Sequence, residues 1–332
     1  MNGNRAEVLR PATGGIKAAI MSWVIEHLPF GFRILRAFRP ILRLGKVFVV
    51  TRYDDVREVF LNDGAFKVPY AAKLDVIMGN HPFFLSMDDT PEYRRDTGAM
   101  RKVVLQTDIP WRLAPRVEQL GRTIVAEANG NLEVVDQLVR RITFDLYMDY
   151  FGVSNPPGGD LRVIATRLFE FQFADLGNDA ALRAEVDQMA PALREHIERL
   201  IEQRRASGKT IDDVLGRCLR LQAEGAPGFS DGQIRSALMG FIVGGPPQPP
   251  MVVPQALEQL LRRPDALAGA RQAALDNDDE LLAGYVFEAM RFDPLAPFMP
   301  RVAKTKSWIA GERRAPSRCL KVPMSTLRLV RP

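Results

Sequence analysis

The residues best placed to do chemistry lie near the end of the chain. In Glu288-Ala289-Met290-Arg291 an acid and a base stand three apart, so on a helix both side chains share one face and can pair. A proline-punctuated run follows, Phe292-Asp293-Pro294-Leu295-Ala296-Pro297, and then Pro300-Arg301-Val302-Ala303. Upstream, an apolar helix pattern through Ile234, Leu238, Phe241 and Ile242 meets Gly244-Gly245-Pro246-Pro247-Gln248-Pro249-Pro250. Prolines at this density break a helix, because each removes a backbone donor and clashes with the preceding turn. Other chemistry is hard to build. The histidines, His27, His81 and His196, are far apart in sequence, and no G-x-S-x-G, P-loop, H-E-x-x-H or G-x-G-x-x-G occurs. Cys218 and Cys319 cannot make a disulfide framework or a four-ligand zinc site, and a reducing compartment is the simplest reading.

Most of the elements that must position these residues are helical by period. The spacing predicts helices over 112–128, 131–152, 160–175, 180–206, 253–261 and 278–291, and Ser230-Asp231 is a cap for the helix that runs into the prolines. Lys46–Thr51 is short, β-branched and aromatic and reads as a strand, with a helix start at Asp54-Asp55. Asn155–Gly159 and Gly225–Phe229 read as loops. The fold class is mainly α with a small β component.

The 332 residues are 46% hydrophobic and 26% charged, the composition of a globular protein able to bury a core without disulfides. A net charge of +5 suggests nucleic acid until its location is read. Residues 313–332 hold six of the 45 basic residues and no acid, which leaves 39 against 40 elsewhere; nucleic-acid binding is set aside. No apolar run reaches the length of a transmembrane helix, and no signal-peptide pattern precedes the chain's first elements. Residues 30–43 carry Arg33, Arg36, Arg39 and Arg43 at helical spacing, opposite Phe30, Ile34, Leu35 and Phe38. This basic amphipathic pattern fits either a surface helix or a peripheral membrane contact, and the expected location is cytoplasmic.

Taken in order, these segments resemble the cytochrome P450 superfamily, in its bacterial form. The E-x-x-R helix, the adjoining R-x-x-P, the later Arg301 and Trp308-Ile309-Ala310-Gly311 match that family. So do Gly45–Val56 as its first β-hairpin and following helix, Leu85–Arg94 as the turn into its haem-contacting helix, Phe229–Gly245 as the entry to its long central helix, and Leu260–Asp265 at the end of that stretch. The likeness covers about 45–312. It implies a P450 fold, haem b, a hydrophobic small-molecule or lipid substrate and, for a monooxygenase, a ferredoxin or reductase partner. Position by position it implies Glu288 and Arg291 as the structural pair behind the haem, buried or half-buried and facing a third polar partner. It implies Arg301 on one haem propionate, and Arg94, Arg95 or preferably Arg101 on the other. Tyr93 stands where the family has a histidine, and Gly244 and Gly245 lie over the haem. Met78, Phe83, Phe84, Phe171 and Phe173 are offered as pocket lining, each also suited to the core.

The likeness breaks at two places. The family's thiolate ligand lies in a Phe- and Gly-marked loop well downstream of the E-x-x-R helix, and no such loop follows Arg291 here. Cys319, in Arg318-Cys319-Leu320, lacks those neighbours, and Cys218 reads as a packing residue, so no metal ligand is assigned. The acid–alcohol pair of the central helix is replaced by Pro247-Gln248, neither of which can relay a proton. Gln248 either holds a peroxide oxygen, as an amide does in P450 relatives that rearrange hydroperoxides, or satisfies backbone groups freed by the prolines. Three functions follow: a P450-type haem oxidoreductase, impaired for want of its ligand in this form; a peroxide- or hydroperoxide-using relative of isomerase or peroxygenase type; and a haem-free remnant or lipid-binding scaffold. The expected organisation is a basic amphipathic segment, 1–44, a P450-like domain, 45–312, and a disordered basic tail, 313–332. Apolar faces of the central-helix region and of the 278–291 helix should lie uncovered.

Overall fold

The computed structural model describes residue 27, residues 30–79, 81–175, 177–296 and 298–304, and the backbone of 327–330. The chain divides into two compact units, Met1–Ala71 with Ala296–Pro332, and Ala72–Leu295. This division differs from the segments expected from sequence.

The first unit opens with helix α1 (30–38), whose end is tied to the hairpin that follows, since Thr51 donates from its backbone and its hydroxyl to Pro40 O, both at 2.9 Å. Strands β1 (Ile41–Leu44) and β2 (Val47–Val50) pair antiparallel about a turn at Gly45, whose φ of +62° suits glycine. Helix α2 (Tyr53–Leu61) and the short β3 (Phe66–Lys67) follow, and β4 (Phe298–Ala303) returns to the sheet. The strand β5 (Leu327–Val330) runs parallel to β2 and antiparallel to β4, giving the order β1-β2-β5-β4-β3. This corrects the expectation of a wholly disordered tail. Strands β2 and β4 each present unpaired backbone groups that a further strand satisfies, and Leu327-Arg328-Leu329-Val330 contains no proline to prevent it. Phe48, Val50, Val56, Val59, Phe66 and Ala303 form the core of this unit.

In the second unit α3 (Ala71–Met78) and α4 (Pro91–Arg101) precede α5 (Ala114–Glu127), α6 (Arg141–Phe151) and α7 (Leu161–Phe169). The long α8 (Ala180–Ser207) ends on Gly208, left-handed at φ +61°, and α9 (Val214–Ala223) follows. Helix α10 (Asp231–Gly244) packs on α7 and α8, and most of its residues are buried. Helices α11 (Pro249–Leu261), α12 (Pro264–Leu275) and α13 (Asp279–Phe292) close around Ala256, Leu260, Ala270 and Ala289. The helices expected from period are found, and α3, α9 and α12 add to them. Arg263-Pro264 ends one helix and also starts the next, because proline fits the first turn, where its missing N–H is not needed.

Candidate functional site

The break between α10 and α11 is the centre of the site. Ser230 and Gln233 form a capping box that fixes the start of α10. Its other end cannot continue: Pro246 and Pro247 lack the N–H groups that would reach back to Ile242 and Val243. The Gln248 backbone N–H bonds Gly245 O at 3.1 Å, and its side-chain amide donates to Gly244 O. The Gln248 side chain thus takes the backbone role, one of the two that the sequence left open. Its amide is committed to Gly244 O, whose helical donor would be the Gln248 backbone N–H that has turned to Gly245 O instead, and the residue is exposed.

The two glycines differ. A Cβ at Gly245 would run into the ring of Tyr147, whereas Gly244 faces open space. Burial pushes the Tyr147 phenol up from its ordinary value. Behind Tyr147 runs an aromatic column: Tyr147 stacks on Phe151 at 5.3 Å, Phe151 on Phe241 at 5.0 Å, and Phe241 meets Phe83 and Phe84 edge-on at 6.1 and 5.9 Å. Phe83 rests on Gly240, where a Cβ would strike its ring. Phe83 and Phe84, with Asp96, Gln233 and Ser236, line a cleft. Met78 and Phe171 are core residues, and Phe173 packs on Phe169 at 4.7 Å. Tyr147 is not among the residues expected from sequence; the adjacent glycines in an apolar helix are the signal that something packs closely there.

On α4, Thr90 caps the helix by accepting from Tyr93 N at 3.2 Å, and Tyr93 is half-buried. Of the arginines offered for the second propionate, Arg94 is held by Asp89 at 2.7 Å and Arg95 by Asp96 at 2.8 Å. Arg101, exposed at the end of α4, makes no ion pair among the described residues.

Glu288 and Arg291 form a bidentate pair on α13, at 2.9 and 2.6 Å. Each holds the other's charge: Glu288 is shifted down and Arg291 up, in both cases first by their shared hydrogen bonds. The pair is not buried as expected, since the side chains are 57% and 59% exposed. The inward side of α13 is taken by Leu282, Tyr285, Val286, Ala289 and Met290, which leaves Glu288 and Arg291 on the outer side. Leu281 and Phe287 are exposed there too; the same expectation for the central helix fails, since the apolar residues of α10 are packed on α7 and α8. The neighbour is a second cation, Arg263, which shares the Phe292 ring with Arg291. Glu288→Ala should therefore leave the melting temperature within the scatter of repeated calorimetric scans. A drop of several degrees would show that this face is covered in solution.

Arg301, on β4, is half-buried, with its guanidinium 4.1 Å from the Phe60 ring centroid and bonded to Pro300 O at 3.0 Å. Burial pulls its pKa down, opposed by Tyr70 and Asp63, and it has no carboxylate partner among the described residues. A half-buried guanidinium that makes no salt bridge suits an incoming carboxylate. It belongs to the first unit, and the other site residues to the second. Cys218, on α9, is 1% exposed, and burial together with Asp213 pushes its thiol up to about 12. It is a neutral packing residue. Cys319 lies outside the described residues.

No family model matches the chain. It is 29% identical over 344 residues to the putative cytochrome P450 137 of Mycobacterium tuberculosis, covering 91% of this chain and 68% of that protein. It is 23% identical over 276 residues to the vitamin D(3) 25-hydroxylase of Pseudonocardia autotrophica, covering 79% and 63%. Among solved structures it superposes on P450BioI, crystallised with a hexadec-9Z-enoic acid ligated acyl carrier protein. That match has a TM-score of 0.74 at 17% identity, over 93% of this chain and 78% of the other.

Proposed function

We propose that the chain is a member of the cytochrome P450 superfamily, which its likeness to the curated P450s supports, and from that premise that it is a haem-dependent oxidoreductase of monooxygenase type acting on a hydrophobic small molecule. The observation that carries the reading is the order of its elements. A central helix is broken beside an open Gly244, followed by α13 with its Glu288–Arg291 pair and then β4 with a half-buried Arg301 that makes no salt bridge among the described residues. Electrons would come from a ferredoxin or reductase.

Haem is the cofactor of this family. Within the second unit, Arg101, which makes no ion pair among the described residues, suits a propionate, and Gly244 leaves room beside the helix break; taken by itself, Arg301 of the first unit is likewise suited to a carboxylate. The iron's thiolate has no donor among the described residues, because Cys218 is a buried, protonated thiol. The described residues therefore do not complete a haem site. Pro247 has no proton to give, and the Gln248 amide is occupied by Gly244 O. That replacement of the acid–alcohol pair favours a second reading, a peroxide- or hydroperoxide-using relative that needs no reductase.

Titrating hemin into the purified chain tests the first reading. The expected result is a Soret band at one haem per chain, without the red-shifted carbon monoxide band of a thiolate-ligated, reduced haem. Failure to bind hemin would move the chain to the haem-free scaffold reading. A red-shifted band abolished by Cys319→Ser would show that this cysteine ligates the iron. Turnover with NADPH and a reductase, against turnover with a lipid hydroperoxide, separates the two enzyme readings. The same proposal includes a peripheral membrane contact through the segment around 30–43; among the described residues no helix is long and apolar enough to cross a membrane.

A further inference from the structure

We propose that α1 and the hairpin after it form a docking surface for anionic lipid, with Phe30, Ile34 and Phe38 entering the acyl boundary and the surrounding arginines bound to headgroup phosphates. This rests on the membrane-contact part of the reading above and not on the haem chemistry.

Phe30, Ile34 and Phe38 are spaced four apart, which places them along one stripe of α1. They are 67%, 45% and 82% exposed. Phe32 and Leu35, on the other side, are half-buried. The helix has thus given one apolar face to the fold and kept a second facing water. Sequence spacing alone had grouped Leu35 with the outer stripe; burial separates them. The chain then passes into the β1–β2 hairpin, whose tip exposes Leu44 at 57%.

Charge selects the occupant. From residue 27 to residue 53 there is no acid, while Arg33, Arg36, Arg39, Arg43, Lys46 and Arg52 are all basic. None of these six makes an ion pair among the described residues. Arg43 is turned to Gly45 O at 3.0 Å and over Phe48; its charge stays uncompensated. Nucleic acid would use the cations but has no place for a stripe of two phenyls and an isoleucine. A lipid interface uses both, with apolar groups below the phosphates and guanidinium groups among them. Three apolar side chains on a nine-residue helix give marginal adsorption by themselves, so the cations should decide whether the surface is occupied.

The test is co-sedimentation of the full chain with phosphatidylcholine vesicles, with and without phosphatidylglycerol. The expected result is binding to the anionic vesicles only, lost at raised salt. Arg33→Gln with Arg36→Gln should weaken it roughly five-fold per charge removed, and Phe30→Ser with Phe38→Ser should abolish it while far-UV circular dichroism stays that of wild type. Equal sedimentation with neutral vesicles, or unchanged binding by both variant pairs, would overturn the proposal. Binding that survives the phenylalanine changes but is displaced by heparin would overturn it in favour of an acidic macromolecule. Hemin binding is measured on the same preparations: variants that lose vesicle binding and keep hemin binding support this surface, wild-type chain that binds hemin but not anionic vesicles overturns it, and loss of hemin binding with vesicle binding intact bears only on the haem reading.

Discussion

Replacing Arg217 with methionine should cost about 3–5 kcal/mol of stability, the loss seen when one partner of a buried charge network is removed. The Arg217 side chain is 5% exposed. It bonds both oxygens of Asp108, at 2.5 and 3.4 Å, and Asp212 at 2.6 and 3.0 Å, and it reaches Val103 O at 3.1 Å. Asp108 also accepts from the Tyr150 hydroxyl at 2.8 Å. Methionine fills much of the same volume, so what is lost is the charge, and Asp108, 14% exposed, stays behind without it. Asp212 is 70% exposed and contributes little, because water screens it. The pH dependence has a definite sign. The hydrogen bonds from Arg217 hold both carboxyls below their ordinary range. A depressed folded-state pKa gives stability that is present above the unfolded value, about 3.9, and lost as pH falls through the folded one. The gap between wild type and Arg217→Met in urea unfolding should therefore be full near neutrality and narrow below about pH 4. A gap under about 1 kcal/mol at neutral pH would mean that the network is hydrated and of little weight.

This network was not legible in the sequence. Its members come from three separate stretches, around Asp108, Tyr150 and the Asp212–Arg217 segment, and no local period brings the three together. What the sequence did show was whatever local physics decides. The proline run stopped α10 because proline has no N–H, and the Ser230 cap started it. The E-x-x-R spacing produced the Glu288–Arg291 pair because residues three apart on a helix are neighbours. Which side of α13 the pair would occupy was a tertiary matter, decided by the side chains around Ala289, and there the expectation of burial failed. The tail failed for a similar reason. Its charge and prolines argued against order, but the open edges of β2 and β4 lie far away in sequence, and they are what β5 satisfies. Gln248 shows the same limit at the scale of one residue, since a side-chain amide beside four prolines can serve a ligand or the backbone, and only the carbonyl position of Gly244 decides between them.

Phe151→Ala should destabilise the chain by about 3–5 kcal/mol, the range for emptying a buried phenylalanine site, and should also loosen the helix break. Phe151 is 4% exposed and stands in the middle of the aromatic column, between Tyr147 and Phe241, with Tyr150 edge-on at 5.2 Å. Offset and edge-on aromatic pairs add about 0.5–1.5 kcal/mol each beyond the area they bury, so removing the shared ring loses its burial and its pairing with both neighbours. The consequence for the site runs through Tyr147. That ring lies against Gly245, where no side chain fits, and Phe151 is what it stacks on from behind. With Phe151 gone, Tyr147 can move into the vacated space, and the backbone at Gly244-Gly245 loses the surface it rests on. Hydrogen exchange in Phe151→Ala should therefore rise at 240–252 more than at α8, whose buried Leu193 and Ile197 do not belong to the column. Phe151→Leu, which keeps most of the volume, should recover over half of the stability and most of the protection. Exchange that rises uniformly along α8, α10 and α11 would show that the column is ordinary core and that the break is held by its prolines alone.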